Sequence, residues 1–261
     1  MPRYALLLSG QARYNEHVIR SLVQNLILPN QCDVFGYFWG YEDTDIHKYI
    51  WDVPNKDVVQ RDIRVMTQWR QNIERMMQII PFTKIDVVKQ IDFPLHRFGP
   101  GEKEKDGART LGEKVFQDSV ERWNFSIHCQ FYSMWAVNQM RKKYEEEHGF
   151  TYDGVFRLRT DILMEHPIHL DLLNPTKLHL SLKKDTNKRT HYDYIAYGNS
   201  QLMDIYCDYI HHLDWVYSFP YDELHCSEVH LLKYLDAFIP DSSNTILDYH
   251  FEVPSGLRII Y

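Results

Sequence analysis

Two arginines and an aspartate stand at alternate positions in YDGVFRLRTDILM, residues 152–164. In an extended chain, alternation puts Arg157, Arg159 and Asp161 on one face with Val155 and Leu163. Phe156, Leu158, Thr160, Ile162 and Met164 share the other, which is the natural core face. Asp161 neutralises only one of the two guanidinium groups, so a positive charge is left over. A guanidinium offers paired N–H donors that match a phosphate or carboxylate. At the carboxyl end of a strand in a parallel sheet, that surplus implies capture of an anion. The plain alternative is an exposed edge strand with weak surface ion pairs.

A second stretch, Ser9-Gly10-Gln11-Ala12-Arg13, lies between an apolar run and a helical pattern. Glycine there lets backbone approach a ligand, and a helix start favours phosphate. It is neither GxGxxG nor a P-loop, which argues against a dinucleotide or kinase-type site. Among carboxylates placed to act as a general base, Glu228 in CSEVHLLKYL comes first, with Asp222 and Glu223 close by. Such a base must come within about 2.6–3.2 Å of the proton it removes. The structural alternative for Glu228 is a helix-start acid favoured by the dipole. Asp193, in THYDYIAYGN, is either a partner for sugar hydroxyls or a turn residue. The 14 histidines form no HExxH and no matched His/Cys set, and GxSxG is absent. Zinc catalysis and a serine nucleophile are thereby disfavoured.

These residues need a scaffold, and the apolar patterning supplies one. Tyr4–Leu8 reads as a strand buried on both faces. A helix follows from about Asn15 to Leu26, with Val18, Leu22 and Leu26 as its stripe, then a turn at Pro29-Asn30. Cys32–Trp39 is a second strand, giving a βαβ unit and a parallel sheet. A helix is expected from about 55 to 80, a strand at Ile85–Ile91, and a loop at Arg97–Gly112. A long helix, roughly Phe125–Glu147, ends before Gly149, a good C′ residue. Beyond 152–164 come strands at Leu178–Leu182 and Tyr194–Tyr197 and a helix near 200–216. Another helix begins at Ser227, as N-cap, and runs to Leu235. The fold class expected is α/β, a single domain spanning 1–261.

Composition bounds the partners. A net charge of −7 gives no global attraction to nucleic acid, and MRKKYEEEH cancels its own bases. The four cysteines form no CxxC pair, and the amino-terminal residues show no signal-peptide pattern. The expectation is a soluble, cytoplasmic protein with reduced thiols and no membrane span.

Taken in order, SGQAR, DVFGYFW, QFYSMW leading into YDGVFRLRTD, and YIAYGNSQLM resemble a group of nucleotide-sugar glycosyltransferases of bacteria and large DNA viruses. The resemblance implies a GT-A-like (Rossmann-like) fold, with a mixed, mainly parallel sheet flanked by helices. It assigns Ser9, Gly10, Gln11 and Arg13 to the glycine-containing loop, and Arg159-Thr160-Asp161 to the DxD metal motif. Arg159 stands in place of the first Asp. Ser227-Glu228 matches the acidic element that opens a later helix, and His250 matches the C-terminal histidine. The expectation is therefore a sugar transferred from a nucleoside diphosphate sugar to a glycan or glycoprotein hydroxyl. Residues 1–164 would form the nucleotide-sugar half and 165–261 the acceptor half. Catalytic roles fall to Glu228, as the base of an inverting reaction, and to Asp193. Donor binding falls to Ser9–Arg13, Arg157, Arg159 and Asp161. Asp161 and His250 would hold Mn²⁺ or Mg²⁺, or the arginines would supply the positive charge instead. Two rivals are a doubly wound sugar-phosphate or nucleotide hydrolase and a non-catalytic carbohydrate-binding module.

Overall fold

Strand β1 (Tyr4–Gln11) sits in the middle of the protein, and both of its faces are covered. Ala5 and Leu7 pack on one side against Phe131, Met134 and Val137. Leu6 and Leu8 pack on the other against Ile19, Leu22, Leu26, Ile73 and Met76. That double burial is why Tyr4–Leu8 is apolar without alternation. The computed structural model describes residues 2–41, 63–90, 111–182, 191–216, 227–239 and 257–259, with side chains in 2–41, 63–90, 128–180, 195–213, 215 and 231–239.

Helix α1 (Glu16–Leu22) starts at Asn15, whose side chain accepts from the backbone N–H groups of His17 and Val18. It continues through a π-helical turn (Val23–Ile27) and Leu28–Asn30, past the expected turn at Pro29-Asn30. Pro29 has no N–H to give the Asn25 carbonyl four residues back. That carbonyl accepts from Ile168 N–H instead, at 2.7 Å. The helix ends at Gln31, which is left-handed at φ 51°.

Strand β2 (Asp33–Gly40) pairs parallel with β1, Leu7 opposite Phe35. A helical turn at 63–67 leads into α2 (Trp69–Ile79), and β3 (Phe82–Lys89) pairs parallel with β2. Helix α3 (Leu111–His148) covers the first face. It closes with Gly149 at φ +67° and Phe150 N–H bonded to the Glu145 carbonyl, the pairing of a Schellman cap. Strand β4 (Gly154–Leu158) then returns beside β1, Leu7 opposite Arg157.

Here the structure departs from the sequence pattern. The stretch 152–164 is two strands, because β4 stops at Leu158 and β5 (Ile162–Met164) pairs with β8 (Leu257–Ile259) in a separate two-stranded sheet. Strand β6 (His179–Leu182) and strand β7 (His191–Gly198) complete the main sheet antiparallel. Its order is β3-β2-β1-β4-β7-β6.

Helices α4 (Ser200–Cys207), α5 (Leu213–Val216) and α6 (Ser227–Phe238) follow, with a 3-10 turn (Asp208–His212) between the first two. Residues of α4 and α6 join α3 in one core cluster. Arg141 of α3, wholly buried, bonds Asn138 at 2.9 Å, Glu145 at 2.7 Å, Ser200 at 2.7 Å, and also Asp204. That node locks α4 onto α3, since an uncompensated buried charge would be costly. The result is α/β, a mixed six-stranded sheet flanked by helices and compatible with a Rossmann-like arrangement. Among the described residues, no helix is long and apolar enough to cross a membrane.

Candidate anion-binding cleft

The strand order makes the position of a site legible. From β1 the chain steps to β2 and β3, then returns across α3 to β4 on the opposite side of β1. Ligands of open α/β sheets bind beyond the carboxyl ends of strands at such a switch point. The residues just past β1 and β4 are Ala12–Arg13 and Arg159–Asp161, and they meet.

Gly10, at φ +104°, adopts a conformation that only glycine takes without strain, and it lets β1 run on to Gln11 before turning. Arg13 N–H faces two acceptors, the Gln11 carbonyl at 2.9 Å and Thr160 Oγ1 at 3.3 Å. From there Arg13 Nη1 donates to Asp161 Oδ2 at 2.7 Å, and Nη2 donates to Gln11 Oε1 at 2.9 Å. Arg159 grips the same carboxylate with two bonds, Nε to Oδ1 at 3.0 Å and Nη2 to Oδ2 at 2.5 Å. Asp161 is thus 4% exposed, whereas the arginine side chains keep about a quarter of their surface open, 26% and 24%. Burial alone pushes the Asp161 carboxyl upward. The Arg13 and Arg159 guanidinium groups outweigh it and hold the pKa below the ordinary Asp value.

Beside this triad lies a cleft of about 330 Å³. Arg13, Tyr14, Asn15, Thr160 and Asp161 form one wall, and Arg64, Val65, Gln68, Asn72 and Arg75 form the other. The second wall is one helical face. Gln68 N–H bonds the Arg64 carbonyl and Asn72 N–H bonds the Gln68 carbonyl, so 63–67 and α2 run on through the intervening turn. Spacings of four, four and three then bring Arg64, Gln68, Asn72 and Arg75 to the same side. Asn72 Nδ2 donates to the Ala12 carbonyl at 2.9 Å, which fastens that face to the end of β1. Arg75 lies 5.6 Å from the Tyr14 ring centre, a cation–π contact that orients it. No carboxylate pairs with Arg64 or Arg75 among the described residues. Among the described residues, the cleft therefore carries three guanidinium groups and a single carboxylate already engaged by arginine.

Sequence reasoning missed Arg64, Gln68, Asn72 and Arg75. The signal was present, as a polar stripe at helical spacing inside the segment expected to be helix, which is helical at 63–67 and Trp69–Ile79 while 55–62 lie outside the described residues. Of the residues it did single out, Gln11, Arg13, Arg159 and Asp161 come together around the triad, and Gly10 shapes the turn. Ser9 points to the α3 side, 4% exposed, and its hydroxyl has no hydrogen-bond partner among the described residues. Arg157 is fully buried on that same side, between Leu7 and Ala196 in the sheet register. It lies near Cys207, whose thiol burial pushes up to about 12 against the pull of Arg141 and Arg157. Asp193 belongs to β7 by its backbone. Ile195, two residues further on, pairs with Leu158 at the end of β4, and the Asp193 side chain lies outside the described residues. Glu228 is the second residue of α6, and its side chain lies outside the described residues, as do His250, Asp222 and Glu223 altogether.

A divalent cation such as Mg²⁺ asks for several hard oxygen donors around it. Both Asp161 oxygens instead accept from guanidinium groups, and no group of three His, Cys, Asp or Glu gathers among the described residues. The described donor set does not fit a divalent cation. Comparison with protein-family models and with curated proteins returns no match, and the cleft stands on its own geometry.

Proposed function

We propose that this chain is a GT-A-like glycosyltransferase that moves a sugar from a nucleoside diphosphate sugar to a hydroxyl of a glycan or glycoprotein. The observation that carries the reading is the arginine-lined cleft at the switch point between β1 and β4. A diphosphate is the leaving group of such a transfer, and its developing charge needs fixed cations. The cleft offers them where open α/β sheets take their ligands. The order of SGQAR, DVFGYFW, YDGVFRLRTD and YIAYGNSQLM supports the same reading.

In the proposed reaction the acceptor oxygen attacks the anomeric carbon, and the bond from that carbon to the phosphate oxygen breaks. Glu228 accepts the hydroxyl proton, and the nucleoside diphosphate leaves as an anion toward the arginines. Asp193 is proposed to bind hydroxyls of the transferred sugar. Titration calorimetry against a panel of UDP- and GDP-sugars tests the donor claim, and binding to none of them would sink it. With a donor found, Glu228→Gln should keep donor affinity while turnover falls by about 100-fold or more. Unchanged turnover in that variant would remove Glu228 from the mechanism.

A further inference from the structure

The mismatch between the cleft and a metal leads one step further, resting on the nucleotide-sugar reading for the identity of the natural ligand. We propose that the cleft is a metal-independent diphosphate clamp built from Arg13, Arg64 and Arg75. Arg64 and Arg75 are phosphate-binding residues in it.

Three observations converge on this. First, the charge is already in place. Arg13, Arg64 and Arg75 line the same cavity, and the one carboxylate among its described residues spends both oxygens on Arg13 and Arg159. A divalent cation entering there would meet guanidinium groups rather than donors, whereas a diphosphate would meet donors on both walls. Second, the cations are held from behind. Asp161 and Gln11 fix Arg13, the Tyr14 ring lies beside Arg75, and Asn72 ties the helical wall to β1. A preorganised cation loses less freedom when an anion arrives. Third, the size is right. The volume of about 330 Å³ falls at the small end of ligand pockets, roughly 300–1,000 Å³. That suits a diphosphate with part of its nucleoside.

Calorimetry on the full chain, with inorganic pyrophosphate, UDP and GDP in EDTA and again in Mn²⁺, separates the possibilities. The clamp predicts that pyrophosphate and one of the nucleotides bind in EDTA, with affinity changed by less than about threefold in Mn²⁺ and weakened by salt. The double variant Arg64→Gln, Arg75→Gln should lose about tenfold or more of that affinity. Its circular dichroism and melting temperature should stay those of the parent, because both side chains are exposed. Arg64→Lys, Arg75→Lys should recover part of the loss, since charge returns without the fork. Binding that requires Mn²⁺, or a folded double variant that binds as well as the parent, would overturn the clamp and leave the donor reading intact. Pyrophosphate binding in EDTA that the double variant loses, with neither nucleotide bound, would uphold the clamp and sink the donor reading. Silence toward all three ligands would sink both.

Discussion

The Asn72 side chain donates to the Ala12 carbonyl across 60 positions of sequence, at 2.9 Å, and both residues are buried. This one bond joins the helical wall of the cleft to the turn that carries Arg13. Replacing Asn72 with Ala leaves the Ala12 carbonyl without that donor, at a cost of about 1–3 kcal/mol. Urea unfolding should show the loss as a lower midpoint with an unchanged slope. Pyrophosphate affinity should fall with it, because two walls of the same site come apart. A variant as stable as the parent would show that the bond is incidental.

Asp161 makes stability depend on acid. Its folded-state pKa is depressed, so its contribution is complete above the unfolded Asp value of about 3.9 and is lost as pH falls through the folded value. The parent should therefore lose stability on acidification through that window. Asp161→Asn has no charge to lose there and should show a flatter acid limb. At neutral pH the same variant takes from Arg13 and Arg159 the carboxylate they share. They remain partly solvated, so the expected cost is about 2–3 kcal/mol, below that of a wholly buried pair. Unfolding curves from about pH 2.5 to about pH 7 read both effects, and parallel acid limbs would refute the assignment.

Gly10 should resist substitution for a backbone reason alone. An added Cβ would meet nothing closer than Ser133 Oγ at 3.9 Å, which is ordinary contact. The cost of Gly10→Ala is then the left-handed φ, about 1–3 kcal/mol. Gly10→Asn should cost less than Gly10→Val, because Asn tolerates positive φ and a β-branched residue does not. Thermal melts of the three variants give the order, and Val ranking above Asn would contradict it.

Cys32, Cys129 and Cys207 are buried free thiols, each pushed up to about 12 by burial, the first of them also by Asp33. The thiolate is the reactive form, so these three should be silent in the native protein. Alkylation at pH 8 followed by intact-mass measurement should add at most one group natively and four in denaturant, matching the four cysteines of the chain. Two or more native adducts would mean that the core opens easily.

What was legible in the sequence follows from how each residue is surrounded. Strands β1 and β2 announced themselves because burial on both faces demands unbroken apolar runs. Gly149 marks a helix end through capping chemistry that needs no tertiary partner, and the apolar stripe of Val18 and Leu22 marks the helix that Asn15 caps. The stretch from Val155 to Asp161 was harder, because alternation was read as one wet face and one dry face. Helices cover both faces of β4, and Arg157 is buried among them while Arg159 lies past the end of the strand. Parity cannot tell a charge in a cleft from a charge beneath a helix. Nor could it show that Asp161 would face Arg13, since that meeting depends on which strand lies beside β1. The Arg64–Arg75 stripe was visible as helix, but its side of the sheet is set by the crossover.

The central place of β1 also bears on how the protein comes into being. One edge of β1 pairs with β2, only about a strand and a helix later, but its other edge waits for β4. Leu7 lies opposite Arg157, and Arg13 meets an Asp161 that is 148 positions away. Closing so long a loop costs entropy before any contact returns it, and non-local pairing of this kind is slow. On a ribosome, the first strand and its helix emerge long before the strand that completes them. The cleft has no early form: no amino-terminal fragment that stops short of Asp161 can carry it.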